Sequence, residues 1–141
     1  MRTARARRLA LAPALALVLA LCALASAALA ASCASTGPSP AAQEWYELGN
    51  AWLDKAEWKR AGQAYSRALA LDPSFAGASF NLARALAEAG DYDESLKTLA
   101  ALAKRDPGNV RVIAARAYAL YKKGDAAAAL DAYREALALD P

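Results

Sequence analysis

The sequence contains no histidine and only two cysteines, Cys22 and Cys33, among its 141 residues. Without histidine the chain cannot carry an imidazole metal site, a Ser/His/Asp triad or a histidine acid–base pair. Two cysteines are too few for a disulfide-rich scaffold or a multi-cysteine zinc site. The glycines are isolated, so no phosphate-cradling cluster is present. We therefore expect no enzyme, no bound metal and no cofactor.

Residues that favour β-strands are also scarce. Valine, isoleucine and threonine together supply seven residues, whereas alanine supplies 42. Alanine is the best helix former, and β-branched residues are enriched in strands. The composition therefore predicts an all-α chain, and its length allows one domain with a short appendage.

The basic surplus of the chain lies outside the candidate domain. The formal net charge is +3, and four of the 17 basic residues are Arg2, Arg5, Arg7 and Arg8. From Cys33 onward, 13 basic residues face 14 acidic ones. A nucleic-acid-binding protein carries its basic patch on the folded part. We therefore expect no nucleic-acid partner.

The N-terminal segment has the order of a secretory signal. Residues 9–31 form 23 consecutive uncharged positions behind the arginine cluster, and small residues follow. The run Leu29-Ala30-Ala31-Ser32-Cys33 resembles the lipobox of bacterial lipoproteins. The resemblance implies a signal peptide over residues 1–32 and acyl chains such as palmitate on Cys33. The mature protein would then be lipid-anchored in the bacterial cell envelope, facing the periplasm or the exterior.

Two other fates of this segment remain open. Cleavage after Ala30 would release a soluble periplasmic adaptor. Alternatively, 23 helical residues at about 1.5 Å each could cross a bilayer core of about 30 Å as an uncleaved anchor. In every case the arginines stay on the inner side and the domain lies outside the cytoplasm. Residues 33–41, with two prolines and a glycine, are predicted to be a flexible tether.

A repeat of 34 residues organises the rest of the chain, because Pro73, Pro107 and Pro141 are evenly spaced. Each proline follows a helix-period run and ends it by removing a donor and constraining the preceding residue. A second break divides each unit near its middle. The pattern predicts helices near residues 42–55, 58–71, 76–89, 92–105, 110–123 and 126–139.

The units resemble the tetratricopeptide repeat family. The first unit carries the signature residues Trp45, Leu48, Gly49, Trp52, Ala61, Tyr65, Ala68 and Pro73. The second keeps Leu82, Ala83, Leu86, Gly90 and Pro107, and the third keeps Ala117, Leu120, Gly124, Ala129, Tyr133, Ala136 and Pro141. The resemblance implies a right-handed solenoid of three helix-turn-helix repeats. Its repeats would occupy residues 42–75, 76–109 and 110–141.

The resemblance also implies peptide binding in a concave groove lined by the first helix of each unit. The residues that would lie open to this groove are Tyr46, Asn50, Phe80, Asn81, Arg84, Arg111, Tyr118, Tyr121 and Lys122. Asn50 and Asn81 match asparagines that, in family members, hydrogen-bond the backbone of the bound peptide. The carboxylate clamp of chaperone-binding members is incomplete, because Tyr46 stands where a lysine is expected and Ala115 where an arginine is expected.

The sequence thus predicts a membrane-tethered module that binds protein or peptide segments, as an envelope lipoprotein acting as a scaffold or assembly factor. Stacked repeats usually end in a polar helix, and no such helix follows Pro141 in the sequence. The last helix, residues 126–139, carries the large apolar residues Leu130, Tyr133, Leu137 and Leu139. We therefore expect self-association or partner binding through this helix.

Overall fold

The computed structural model describes residues 37–141, which form six α-helices and no strand. The helices are α1 Pro40–Asp54, α2 Trp58–Leu71, α3 Ala76–Ala89, α4 Tyr92–Arg105, α5 Val110–Lys123 and α6 Ala126–Leu139. The all-α prediction is confirmed, and helices α2 to α6 have the predicted bounds. The predicted signal segment and Cys33 lie outside the described residues. None of the six helices is long and apolar enough to cross a membrane.

Helix α1 begins at Pro40, two residues before its predicted start. The Ser39 side chain caps it by accepting a hydrogen bond from the backbone N–H of Ala42 at 3.3 Å. Proline is favourable in the first turn, where its missing N–H has no helical partner to lose. The prediction that Pro40 and Ala41 belong to the tether is therefore wrong. A serine followed by a proline is a helix start here, not a linker.

A residue in the left-handed conformation follows the first helix of each unit within two positions. These residues are Ala56, Gly90 and Gly124, with φ of 57°, 92° and 97°, and they are 34 positions apart. In each case the following N–H returns to a carbonyl five residues back, as from Asp91 to Leu86 at 2.8 Å. Glycine adopts this conformation without strain, whereas alanine does not. Unit one therefore closes its first helix on a strained residue.

The helices stack in chain order, each packed against its neighbours in sequence. Buried alanines such as Ala61, Ala83 and Ala117 let the helices approach closely. The larger buried side chains Tyr65 and Leu99 fill the space between them. This packing places α1, α3 and α5, the first helices of the three units, beside one another.

Candidate peptide-binding groove

The first helices bring most of the predicted groove residues together. Asn81 of α3 reaches Asn50 and Tyr46 of α1, and Tyr118 of α5 reaches Glu88 of α3. We call the surface formed by these side chains the groove.

A hydrogen-bonded amide pair links units one and two. Asn81 Nδ2 donates to Asn50 Oδ1 at 2.9 Å and to the Tyr46 hydroxyl at 3.3 Å. The Tyr65 hydroxyl donates to the same Asn50 oxygen at 2.7 Å. Asn81 is only 9% exposed, so only a small part of its side chain is open to the groove. It joins two units of the stack as well as bordering the groove.

Two atoms of this amide pair stay available to a ligand. Asn81 Oδ1 and Asn50 Nδ2 make no hydrogen bond within residues 37–141. Neither atom is fully buried, because every fully buried side-chain polar atom in that range has a hydrogen-bond partner. One is an acceptor and the other a donor, which is the pair that an extended peptide backbone needs.

Tyr65 supports the amide pair through its hydrogen bond to Asn50. Its side chain is fully buried between the helices, and burial raises the pKa of Tyr65 to about 12. The phenol is protonated at neutral pH, as any tyrosine is, and donates to Asn50. This bond orients the Asn50 side chain and leaves its Nδ2 free.

A cavity of about 310 Å³ opens between α3, α4 and α5. We call it the main cavity of the groove. The buried residues Ala83, Ala87 and Leu99 form its floor, and the exposed Arg84 and Arg111 form its edge. Its remaining lining residues are Phe80, Glu88, Ser95, Ala114, Ala115 and Tyr118. The cavity exists because the lining is rich in alanine, whose side chain leaves the space between the helices unfilled.

A smaller cavity of about 200 Å³ lies beside the amide pair, lined by Tyr46, Asn81, Asn109 and neighbouring residues. Phe80 and Arg111 line both cavities. The Arg111 guanidinium lies 4.9 Å from the centroid of the Phe80 ring, a cation–π contact. The two cavities are therefore adjacent parts of one groove.

The charges along the groove are unevenly paired. The Tyr118 hydroxyl donates to Glu88 Oε1 at 2.7 Å, and Lys122 Nζ lies 3.8 Å from Glu88 Oε2. The hydrogen bond to Glu88 raises the pKa of Tyr118, and Tyr118 and Glu88 together raise the pKa of Lys122. Arg84 and Arg111 have no carboxylate partner within residues 37–141. The groove is thus cationic overall.

Two residues of α4 complete the floor of the main cavity, and sequence reasoning missed their role. Ser95 and Leu99 belong to the second helix of unit two, whereas the groove residues predicted from the sequence all lie on first helices. A signal for Leu99 was available, because the positions 34 residues away on either side hold Tyr65 and Tyr133. A leucine in place of an aromatic ring leaves unfilled volume.

Tyr121 is the predicted groove residue that the structure does not place with the others. It is exposed and lines neither cavity. Within residues 37–141, no group of three or more Asp, Glu or Cys side chains could hold a metal ion.

Residues 36–141 match the family model described as the cytochrome c-type biogenesis protein H TPR domain, where TPR denotes tetratricopeptide repeat. Tetratricopeptide repeat protein 16 of Mus musculus is 31% identical over 103 residues, covering 73% of this chain and 13% of that protein. An uncharacterized lipoprotein of Treponema pallidum (strain Nichols) is 33% identical over 98 residues, covering 69% and 50%. The chain spans half or less of the length of these curated relatives.

Many solved structures share the fold. The Arabidopsis OM64 TPR domain superposes with a TM-score of 0.68 at 26% identity, covering 74% of this chain and 87% of that one. YrrB, described as a TPR protein with an unusual peptide-binding site, gives a TM-score of 0.67 at 26% identity, covering 71% and 52%. The predicted right-handed solenoid of three helix-turn-helix repeats is confirmed.

Proposed function

Because the chain belongs to the tetratricopeptide repeat family, in the group of the cytochrome c-type biogenesis protein H TPR domain, we propose that it is a peptide-binding module rather than a catalyst. The ligand is an extended segment of a partner protein, and it lies in the groove between α1, α3 and α5. YrrB, which has the same fold, is described as having a peptide-binding site.

One observation carries this proposal: free amide atoms and an unfilled apolar cavity lie on the same surface. Asn81 Oδ1 and Asn50 Nδ2 can pair with the backbone of a segment whatever its sequence. The main cavity, further along the groove, takes a side chain of that segment. Backbone bonds align the segment, and the buried side chain supplies the larger share of the affinity.

Site-specific photocrosslinking in envelope membranes tests the groove. A photoreactive amino acid is placed at position 84 or 111, both exposed at the cavity edge, and at position 97 on α4 as a control. Mass spectrometry then identifies the crosslinked residues of the partner. We expect both groove positions to label the same short segment and position 97 not to label it. Equal labelling from position 97 would overturn the proposal.

The module is held at a membrane by lipid on Cys33, as a lipoprotein of the bacterial cell envelope that serves as a scaffold or assembly factor. The order of arginines, apolar run and small residues before Cys33 supports this part. So does the relative described as an uncharacterized lipoprotein. Release as a soluble periplasmic adaptor after Ala30, and retention of an uncleaved anchor, are the alternatives.

The Cys33→Ser variant separates these three forms. Lipidation predicts that the variant leaves the membrane fraction while its helical circular dichroism is unchanged, since Cys33 precedes all six helices. Mass spectrometry of the unmutated protein should find an acylated Cys33 at the N-terminus. An N-terminus at Ala31 would support the soluble adaptor, and a variant that stays in the membrane would support the uncleaved anchor.

A second copy of the chain is the proposed occupant of the outer face of α6. Tyr133 is 38% exposed and Leu137 is 64% exposed. The residues 68 and 34 positions before Tyr133 are Tyr65 and Leu99, and both are buried because a following unit covers them. In units one and two, the helices of the following unit therefore cover the face that corresponds to the apolar face of α6.

Sedimentation of the full-length protein in detergent tests this association. We expect a concentration-dependent dimer that the double variant Leu130→Glu and Leu137→Glu dissociates, because each substitution places a charge on the apolar face. Lys97→Glu, on α4, is the matched control and should leave the dimer intact. A monomer throughout, at concentrations of tens of micromolar, would contradict the proposal.

A further inference from the structure

The main cavity has an aliphatic floor and two arginines at its edge. Together these features indicate the class of ligand that the groove binds. We infer that the groove selects an acidic peptide segment that carries one bulky aliphatic side chain, and that this side chain enters the main cavity. The inference rests on the proposed peptide-binding function and names the substrate class of that site.

The floor of the main cavity accepts an apolar group because its polar atoms are already bonded. The Ser95 hydroxyl donates to the Ala83 carbonyl at 2.6 Å. The Tyr118 hydroxyl donates to Glu88. The rest of the floor is aliphatic, with Leu99 and alanine side chains. A polar side chain placed there would lose its water without gaining a partner, whereas an aliphatic one gains by leaving water.

The edge of the cavity favours acidic residues on either side of the aliphatic anchor. Arg84 and Arg111 lie at the edge without a carboxylate partner within residues 37–141. Glu88, the one acidic residue in the cavity lining, already receives the Tyr118 hydroxyl and faces Lys122. A segment with carboxylates next to its anchor supplies the charges that the two arginines lack, which steers association and fixes orientation.

The aliphatic anchor is an internal residue of the segment, not a chain terminus. Ala87, Ala114 and Ala115 line the cavity with methyl groups, which offer no charge or hydrogen bond to a terminal carboxylate. The arginines stand at the edge and are exposed, so carboxylates bind outside the cavity. A free C-terminus therefore contributes nothing specific at this site.

A set of synthetic peptides tests the ligand class with full-length protein in lipid nanodiscs. The reference probe is a fluorescent, terminally blocked peptide of alternating glutamate and glycine with one central leucine. Replacing the leucine by serine should weaken binding about tenfold or more, the loss expected for an unburied leucine. Replacing the glutamates by lysines should weaken it at least as much, and a free C-terminal carboxylate should change it little.

Protein variants assign the two effects to the cavity and its edge. Ala115→Leu fills the cavity and should weaken the leucine peptide about tenfold without weakening the serine peptide. Ala101→Leu, on the exposed side of α4, is the matched control and should leave both unchanged. The double reversal Arg84→Glu with Arg111→Glu changes only exposed positions and should turn the preference toward the lysine peptide.

The outcomes separate this inference from the proposed function. Equal affinity for leucine and serine peptides, or for glutamate and lysine peptides, overturns the ligand class. Crosslinking of a partner segment from positions 84 and 111 would then still support the peptide groove. Failure of the crosslinking experiment, with labelling from position 97 as strong as from the groove, overturns the groove itself and the inference with it.

Discussion

Gly49 lies directly against the ring of Tyr65: a methyl group on Gly49 would stand 2.5 Å from Tyr65 Cε1 and 2.9 Å from Cζ. Helices α1 and α2 can therefore enclose a full tyrosine ring only because position 49 has no side chain. The matching positions in unit two hold Ala83 and Leu99. Unit two thus has a larger residue on its first helix and a smaller one on its second.

Substitution Gly49→Ala should destabilise the protein by about 1–3 kcal/mol, because a buried aromatic ring cannot move aside without strain. Urea denaturation measures the loss. Gly62→Ala is the matched control: its methyl group would lie 3.7 Å from Leu82 Cδ1, an ordinary contact. It should gain about 0.5–1 kcal/mol from reduced chain entropy.

The double variant Gly49→Ala with Tyr65→Leu tests the same contact in reverse. It reproduces the Ala83 and Leu99 pair of unit two and should recover part of the stability that Gly49→Ala loses. An equal free energy of unfolding for the Gly49 and Gly62 variants would show that the ring contact imposes no constraint.

Substitution Ala56→Gly should stabilise the protein by about 1 kcal/mol, since it relieves a left-handed conformation that costs an L-residue roughly that amount. Ala56 has φ of 57°, whereas the matching positions in the other units are glycines. The reverse change, Gly90→Ala, should lose a similar amount. Chemical denaturation of both variants checks the pair, and a loss on Ala56→Gly would contradict it.

The free energy of unfolding should fall at high pH through Tyr65. Its pKa in the folded protein is about 12 because of burial, against about 10 in the unfolded chain. The stabilisation is therefore complete below about pH 10 and is lost as the pH rises toward 12, by an amount on the order of 2 kcal/mol. The difference between the unmutated protein and Tyr65→Phe isolates this effect from lysine titration. Parallel pH profiles of the two proteins would contradict it.

Substitution Asn81→Ala should lower stability, not only ligand binding. The change removes hydrogen bonds to Asn50 and Tyr46 at a buried site, which costs about 1–3 kcal/mol. Arg84→Ala, three residues away and exposed, is the control and should leave the melting temperature nearly unchanged. Equal melting temperatures for the two variants would mean that the amide pair does not join the units.

The sequence alone determined the bounds of helices α2 to α6. Proline at position 73, glycine at 90 and the apolar periodicity between them act within about one helical turn. Each of these signals lies within a short stretch of chain, so it can be recognised without knowledge of the tertiary structure. The error at Pro40 was also local, because a proline after a capping serine can begin a helix or belong to a linker.

Only the tertiary structure decided which groove residues bond one another and which are buried. Asn50 and Asn81 are 31 positions apart, and nothing near either one indicates that they bond each other and that Asn81 is buried. The main cavity likewise depends on how Leu99 of α4 meets alanines of α3 and α5. Burial and cavities arise from the distances between helices, which are set by side chains on every helix at once. The repeat pattern therefore predicts which helix faces line the groove, but not which of its side chains are buried or where its cavities lie.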